Sequence, residues 1–216
     1  MKLFAAILVA TFAISGCKST VQDAYFNMWE KVGVEKRDIL VDRVEDAQDS
    51  QKEAQEQFSS ALEEFSALIN FKGGELEDVY NELNDQFLAS QTSAASVSDR
   101  INKVESVADS LFREWESELT QISNANLRRD SQRKLIDTQR KYNNLLRSMR
   151  NVEDSMPPVL QALQDNVLYL KHNLNANAIG SLQGEFNEIK SDVSVLIKEM
   201  NAAIKESDEF IASIRG

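Results

Sequence analysis

One cysteine, one histidine, two prolines and seven glycines are all that 216 residues contain of the types that staple, ligate or turn a chain. A single thiol excludes an intrachain disulfide. A single imidazole, His172, excludes the di-metal centre of helical bundles, which needs Glu-x-x-His on each of two helices. Near the end of a helix it reads instead as a partner of the helix dipole. Nucleophilic triads fare no better, because His172 would have to be the base and no motif sets a serine beside it. There is no phosphate-binding glycine loop, since Gly73-Gly74 reads as a turn. Carboxylate pairs such as Glu114/Glu118 are common, but no spacing marks one as an acid/base couple, and solvated helix faces explain them. The expectation is a chain with no catalytic residues, no metal and no cofactor. Basic residues are also in deficit, 24 against 35 acidic, for a net charge of −11. That balance argues against nucleic acid and against broad anionic surfaces as partners.

Long apolar runs are absent except at the start. Lys2 is followed by Leu3 to Ile14, interrupted only by Thr11. About 12 residues are too few to span a bilayer but suit the core of an export signal. Ile14-Ser15-Gly16-Cys17 then looks like the lipobox of bacterial lipoproteins. That resemblance implies that the Cys17 thiol is diacylglycerylated, residues 1–16 are removed and the new amine is acylated. Two or three acyl chains make such an attachment stable. The alternatives are an ordinary signal with a chance cysteine, or an uncleaved anchor. The motif stands at the end of a proper apolar run and holds the only cysteine, which favours the lipobox. Lys18 follows, where an Asp would imply inner-membrane retention by the same resemblance. The expected location is therefore the cell envelope, at the periplasmic face of the outer membrane. Loss of Lys2 with the signal takes the net charge to −12.

What is abundant is helix-forming: Ala, Leu, Glu, Gln, Lys and Arg. Apolar residues recur in steps of 4 and 3, the mark of coiled-coil packing. The first series is Leu40, Val44, Ala47, Gln51, Ala54, Phe58, Ala61, Phe65 and Leu68, with Gln51 as its polar slot. The second runs without a slip from Leu76 to Trp115, thinned by the small stretch Ser90 to Ser96. The third passes from Leu135 through Met149 to Met156 and resumes after Pro157-Pro158 with Val159, Leu163, Val167, Leu170 and Leu174. The fourth carries Ile179, Leu182, Phe186, Ile189, Val193, Leu196, Met200 and Ala203. Turns fall at 72–74, at 123–126 and at 175–177.

The expected organisation is a signal over residues 1–16, then a tether with a short aromatic segment over 17–34, then a helical domain over 35–216. Its helices are expected at about 35–71, 75–122, 127–174 (kinked at 157–158) and 178–214. Short loops make sequential helices antiparallel neighbours. The fold class is all-α, an elongated antiparallel coiled coil or bundle of four long helices.

Two features carry candidate interactions. Residues 128–150 hold Arg128, Arg129, Arg133, Lys134, Arg140, Lys141, Arg147 and Arg150 against Asp130 and Asp137. Residues 45–64 show the opposite bias. Opposed charges could set the pairing of helices one and three, or the basic stripe could dock an anionic partner such as lipopolysaccharide phosphates or an acidic protein. Tyr25, Phe26, Met28 and Trp29 form the second feature, suited to the headgroup region of a bilayer or to capping the bundle's open end.

The segment Tyr25-Phe26-Asn27-Met28-Trp29-Glu30-Lys31-Val32-Gly33, followed by Lys36-Arg37, resembles a family of gammaproteobacterial coiled-coil lipoproteins, the domain of unknown function 2959. The resemblance covers nearly all of the mature chain and implies the same tethered, helical description, with no activity to carry over. The functional expectation is a membrane-tethered structural or adaptor lipoprotein without catalytic activity. It is held to the membrane through Cys17, with a protein partner or self-association and no nucleic acid. The alternative is a lipid or small-ligand carrier, its helices splayed near Ser90–Ser96 and Pro157-Pro158.

Overall fold

The computed structural model describes residues 35–215 except Lys72 and Gly74; the expected signal, the expected lipobox residues Ile14, Ser15 and Gly16, Cys17 and the Tyr25–Trp29 cluster lie outside them. Among the described residues there are helices and turns and no strand. They are α1 (Lys36–Ile69), α2 (Leu76–Leu119), α3 (Ala125–His172), the short α4 (Ala176–Ser181) and α5 (Gln183–Arg215).

The seven-residue stripes explain why these segments pack as they do. Each places its apolar residues along one side of the helix, and those residues form the core. Leu40, Val44, Ala54, Phe58, Phe65 and Leu68 of α1 are buried, as are Leu83, Val97, Ile101 and Val104 of α2. Leu145, Met149, Val152 and Met156 of α3 meet Val193, Leu196, Met200 and Ala203 of α5 in the same interior. Short connections fold the chain up, down, up and down. Lys36 lies beside Glu114, Asp46 beside Arg100 and Gln57 beside Gln86, so α1 and α2 are antiparallel. Glu105 beside Arg150 gives the same for α2 and α3, and Glu45 beside Arg215 for α1 and α5. Neighbours run α1–α2–α3–α5 and back to α1, so α1 and α3 face each other diagonally across the core.

Two expectations bear on helix continuity. Pro157-Pro158 was expected to kink one long rod and not to divide it, and α3 does pass through the pair as one helix of 48 residues. Each proline removes a backbone donor and crowds the preceding turn. Both face solvent, while Met156 and Val159 on either side are buried and hold the helix to the core. A single fourth helix over 178–214 was expected, and the structure divides it at Leu182 into α4 and α5. Gly180 and Gly184 flank the break, where helix propensity is lowest. The apolar stripe keeps its spacing across it, which is why periodicity alone did not show it.

The turns also do more than reverse the chain. Asn124 and Asn175 each open a helix with the same Asn-Ala-Asn sequence. Asn124 Oδ1 accepts from the backbone N–H of Asn126 at 2.9 Å and Leu127 at 3.3 Å. Asn175 Oδ1 accepts from Asn177 and Ala178, both at 3.1 Å. Such caps stabilise a helix start by about 1 kcal/mol. Gly73, with φ of 138°, takes the backbone conformation that side chains disfavour, so the α1–α2 turn needs glycine there.

Candidate functional site

The middle helices outrun the outer pair at one end. Lys36, where α1 begins, donates to Glu114 Oε1 at 2.9 Å, and Arg215, the last residue of α5, comes beside Arg37 to Asp42. Among the described residues, α2, its turn and the start of α3 continue beyond that level. The Trp115 indole N–H donates to Ser131 Oγ at 2.8 Å and ties the two helices together there. The tip reaches about 10 Å farther.

The basic stripe lies along this tip and the first turns of α3. Arg128, Arg129, Arg133, Lys134, Arg140, Lys141 and Arg147 are all exposed. A repeat orders them: Asp130-Ser131-Gln132-Arg133-Lys134 recurs seven residues on as Asp137-Thr138-Gln139-Arg140-Lys141. In each copy the aspartate takes both following cations, Asp130 with Arg133 at 2.9 Å and Lys134 at 3.2 Å. Asp137 pairs with Lys141 at 3.0 Å and with Arg140. Hydrogen bonds from Arg133 and Lys134 hold the Asp130 carboxyl below its usual range, and the bond from Lys141 does the same for Asp137. One carboxylate against two cations leaves each repeat net positive. Arg128, Arg129 and Arg147 have no acidic partner among the described residues. The heptad repeat was present in the sequence and is the signal that reading by charge count alone passes over.

Arg150 separates from the stripe. It is half-buried and bridges α2 and α3, donating to Glu105 at 2.5 Å, Asn102 at 2.9 Å and Glu153 at 2.5 Å. Burial works against its charge, and the bonds to Glu153 and Glu105 outweigh that and raise its pKa. The pairing of helices one and three by opposed charge is not what the described residues show. The acidic stretch of α1 finds its partners on its neighbours: Asp46 with Arg100 of α2, Glu45 with Arg215 of α5. Diagonal helices are too far apart for their flanking side chains to meet.

Apolar surface accompanies the cations. Leu127 is 62% exposed at the turn and Ile136 58% exposed one face round. Between the helices an open groove of about 640 Å³ is lined by Leu119, Arg128, Leu135 and Ile136 among others. It continues past Glu116 and Gln139 into a second groove of about 580 Å³ over Phe112 and Tyr142. Burial, reinforced by the charges of Asp109 and Glu105, raises the Tyr142 phenol far above its ordinary pKa, so it stays neutral.

Inside the bundle the polar residues divide into satisfied and unsatisfied. Gln48 donates to Asp208 Oδ1 at 2.7 Å and to the Ile204 carbonyl at 3.1 Å. Gln51, one turn on and fully buried, has no partner for either amide atom. The Ser50 and Ser96 hydroxyls are 3.5 Å apart, so the small stretch of α2 packs close to α1 at this level. His172 is exposed in the last turn of α3. No helix among the described residues is long and apolar enough to cross a membrane, and none of their His, Cys, Asp and Glu side chains gather in threes that could hold a metal ion.

Residues 36–215 thus define an up-down bundle of long helices with a two-helix basic tip. The chain matches, over residues 25–214, the family described as "Protein of unknown function (DUF2959)", and it belongs to that family. No curated protein and no solved structure matches it.

Proposed function

We propose that this protein is a lipid-tethered, non-catalytic structural or adaptor protein of the bacterial envelope, held through Cys17 at the periplasmic face of the outer membrane. The observation that carries the reading is the segregation of charge. Exposed cations gather at one end of an otherwise acidic bundle, whose interior is filled by side chains along all four long helices. A body of this kind binds by presenting surfaces. The tether supports it: the lipobox residues 14–17 precede a helical domain whose first helix starts beside the basic tip.

Residue-specific photo-crosslinking in living cells tests the adaptor reading. Probes at Arg147 on the stripe and at Asn70 and Glu75 flanking the α1–α2 turn are expected to capture a discrete second protein. Crosslinks to lipid alone, or only between copies of this chain, would contradict it. A carrier reading draws on the unpaired Gln51 amide, level with Ser90–Ser96. A ligand retained in native mass spectrometry would favour that reading.

A further inference from the structure

We infer that the α2–α3 tip is a docking surface for an anionic bilayer, with Leu127 entering the interface and Arg128, Arg129, Arg133 and Lys134 resting on lipid phosphates.

The charges at the tip oppose their own helix. The first turn of α3 contains no acid, while α1, α2 and α5 open with Asp38, with Glu77 and Asp78, and with Glu185. Arginines here face the positive end of the helix dipole. Among the described residues no acid offsets this for Arg128 and Arg129. Arg128 reaches only the Ile122 carbonyl at 3.5 Å, and Arg129 only the Asn126 amide oxygen at 2.6 Å. Local conflicts of this type mark sites shaped by an external partner. Anionic phosphates are what the exposed guanidinium forks fit; the backbone N–H groups of Asn126 and Leu127 are already taken by the Asn124 cap.

The apolar part selects a bilayer over an acidic protein. Leu127 is the most exposed large apolar residue among those described, and it sits at the turn between arginines and the half-buried Ile122. An exposed apolar side chain next to two arginines at the end of a hairpin matches the layered chemistry of an interface: phosphates outside, acyl chains beneath. Position agrees. Lys36 lies at this same end, and Cys17 precedes it by a chain that can extend no more than roughly 65 Å. This last point rests on the tethered reading proposed above. A tip resting on the membrane beside the tether would orient the bundle and turn the α1–α2 turn at Gly73 away from the bilayer.

The mature chain carrying Cys17→Ser, hence without acyl groups, separates the tip's own affinity from the tether. It is expected to co-sediment with vesicles of phosphatidylcholine and phosphatidylglycerol, weaken as salt rises, and ignore vesicles of phosphatidylcholine alone. Each cation near an anionic surface is worth roughly fivefold in binding. Arg128→Gln with Arg129→Gln should therefore lower the affinity by roughly 30-fold, and Leu127→Ser should lower it while leaving the salt dependence in place. Unchanged helicity by circular dichroism checks the fold of each variant. Equal binding to both vesicle types, no binding by the parent chain, or binding unchanged in the variants would overturn the proposal. So would a photo-probe at Leu127 that captures a discrete protein in place of phospholipid, which would assign the tip to an acidic protein partner. Failure of the vesicle assay leaves acylation of Cys17 untouched, and the two outcomes are distinct.

Discussion

Replacing Gln51 by leucine is expected to make this protein more stable. Gln51 occupies a seam position of α1 between Ala47 and Ala54, is fully buried, and leaves both its amide nitrogen and oxygen without a partner. A buried amide without hydrogen bonds costs about 1–3 kcal/mol relative to the solvated group. Leucine is of similar size and brings only apolar atoms, so the penalty disappears and no cavity opens. The expected gain is about 1–3 kcal/mol, read as a rise of about 1 M in the urea midpoint at unchanged slope. Gln48 supplies the control on the same helix. Its amide donates to Asp208 and Ile204, so Gln48→Leu removes made bonds and should destabilise by about 1 kcal/mol. Opposite signs for the two substitutions follow from the hydrogen-bond inventory alone. A Gln51→Leu protein less stable than its parent would refute the reasoning and show that the amide has a bonded partner. A lone polar seam residue can also fix helix register. The same variant, if more stable but with broadened amide resonances, would assign Gln51 that role.

Phe58 is fully buried in the middle of α1, and Phe58→Ala should cost about 3–5 kcal/mol by urea denaturation. Pro157→Ala and Pro158→Ala restore donors to the interior of a continuous helix and should each raise stability, by up to about 3 kcal/mol, in thermal unfolding. Burial, followed by the charge of Glu105, raises the pKa of Asp109, so its ionised form is disfavoured in the fold. Asp109→Asn should therefore stabilise modestly at neutral pH, by less than about 1 kcal/mol because the group is largely exposed. That advantage should shrink as pH falls through the raised value toward 3.8 and the parent carboxyl takes up its proton. Unfolding curves from neutral pH to pH 4 give the check.

The interior was legible because one rule governed it. Seam positions Leu40, Val44, Phe58, Ile101, Met149 and Leu196 repeat in steps of 4 and 3 and are buried, while the stripes' ends at Leu76, Trp115 and Leu174 are half-buried or exposed. Even the polar slot, Gln51, falls inside the core as its spacing requires. What periodicity could not show was which helices are neighbours. Charge bias along the chain suggested α1 beside α3, whereas four sequential antiparallel helices closing into a ring place them diagonally. The break at Leu182 was hidden because the stripe continues across it while the weakness lies in Gly180 and Gly184 on the exposed side. At the candidate site, the cations were visible in the sequence but their division was not. Whether an arginine is spent inside the fold, like Arg150 between Glu105 and Glu153, or left to solvent, like Arg128, depends on what the facing helix presents.

Tethering through Cys17 is the claim from which the orientation and partner readings descend, and the mass of the protein purified from membranes tests it most directly. The account predicts an N-terminal peptide beginning at Cys17 and carrying a diacylglyceryl group and an amide-linked acyl chain. An N-terminus at any other residue, or an unmodified Cys17, would contradict it.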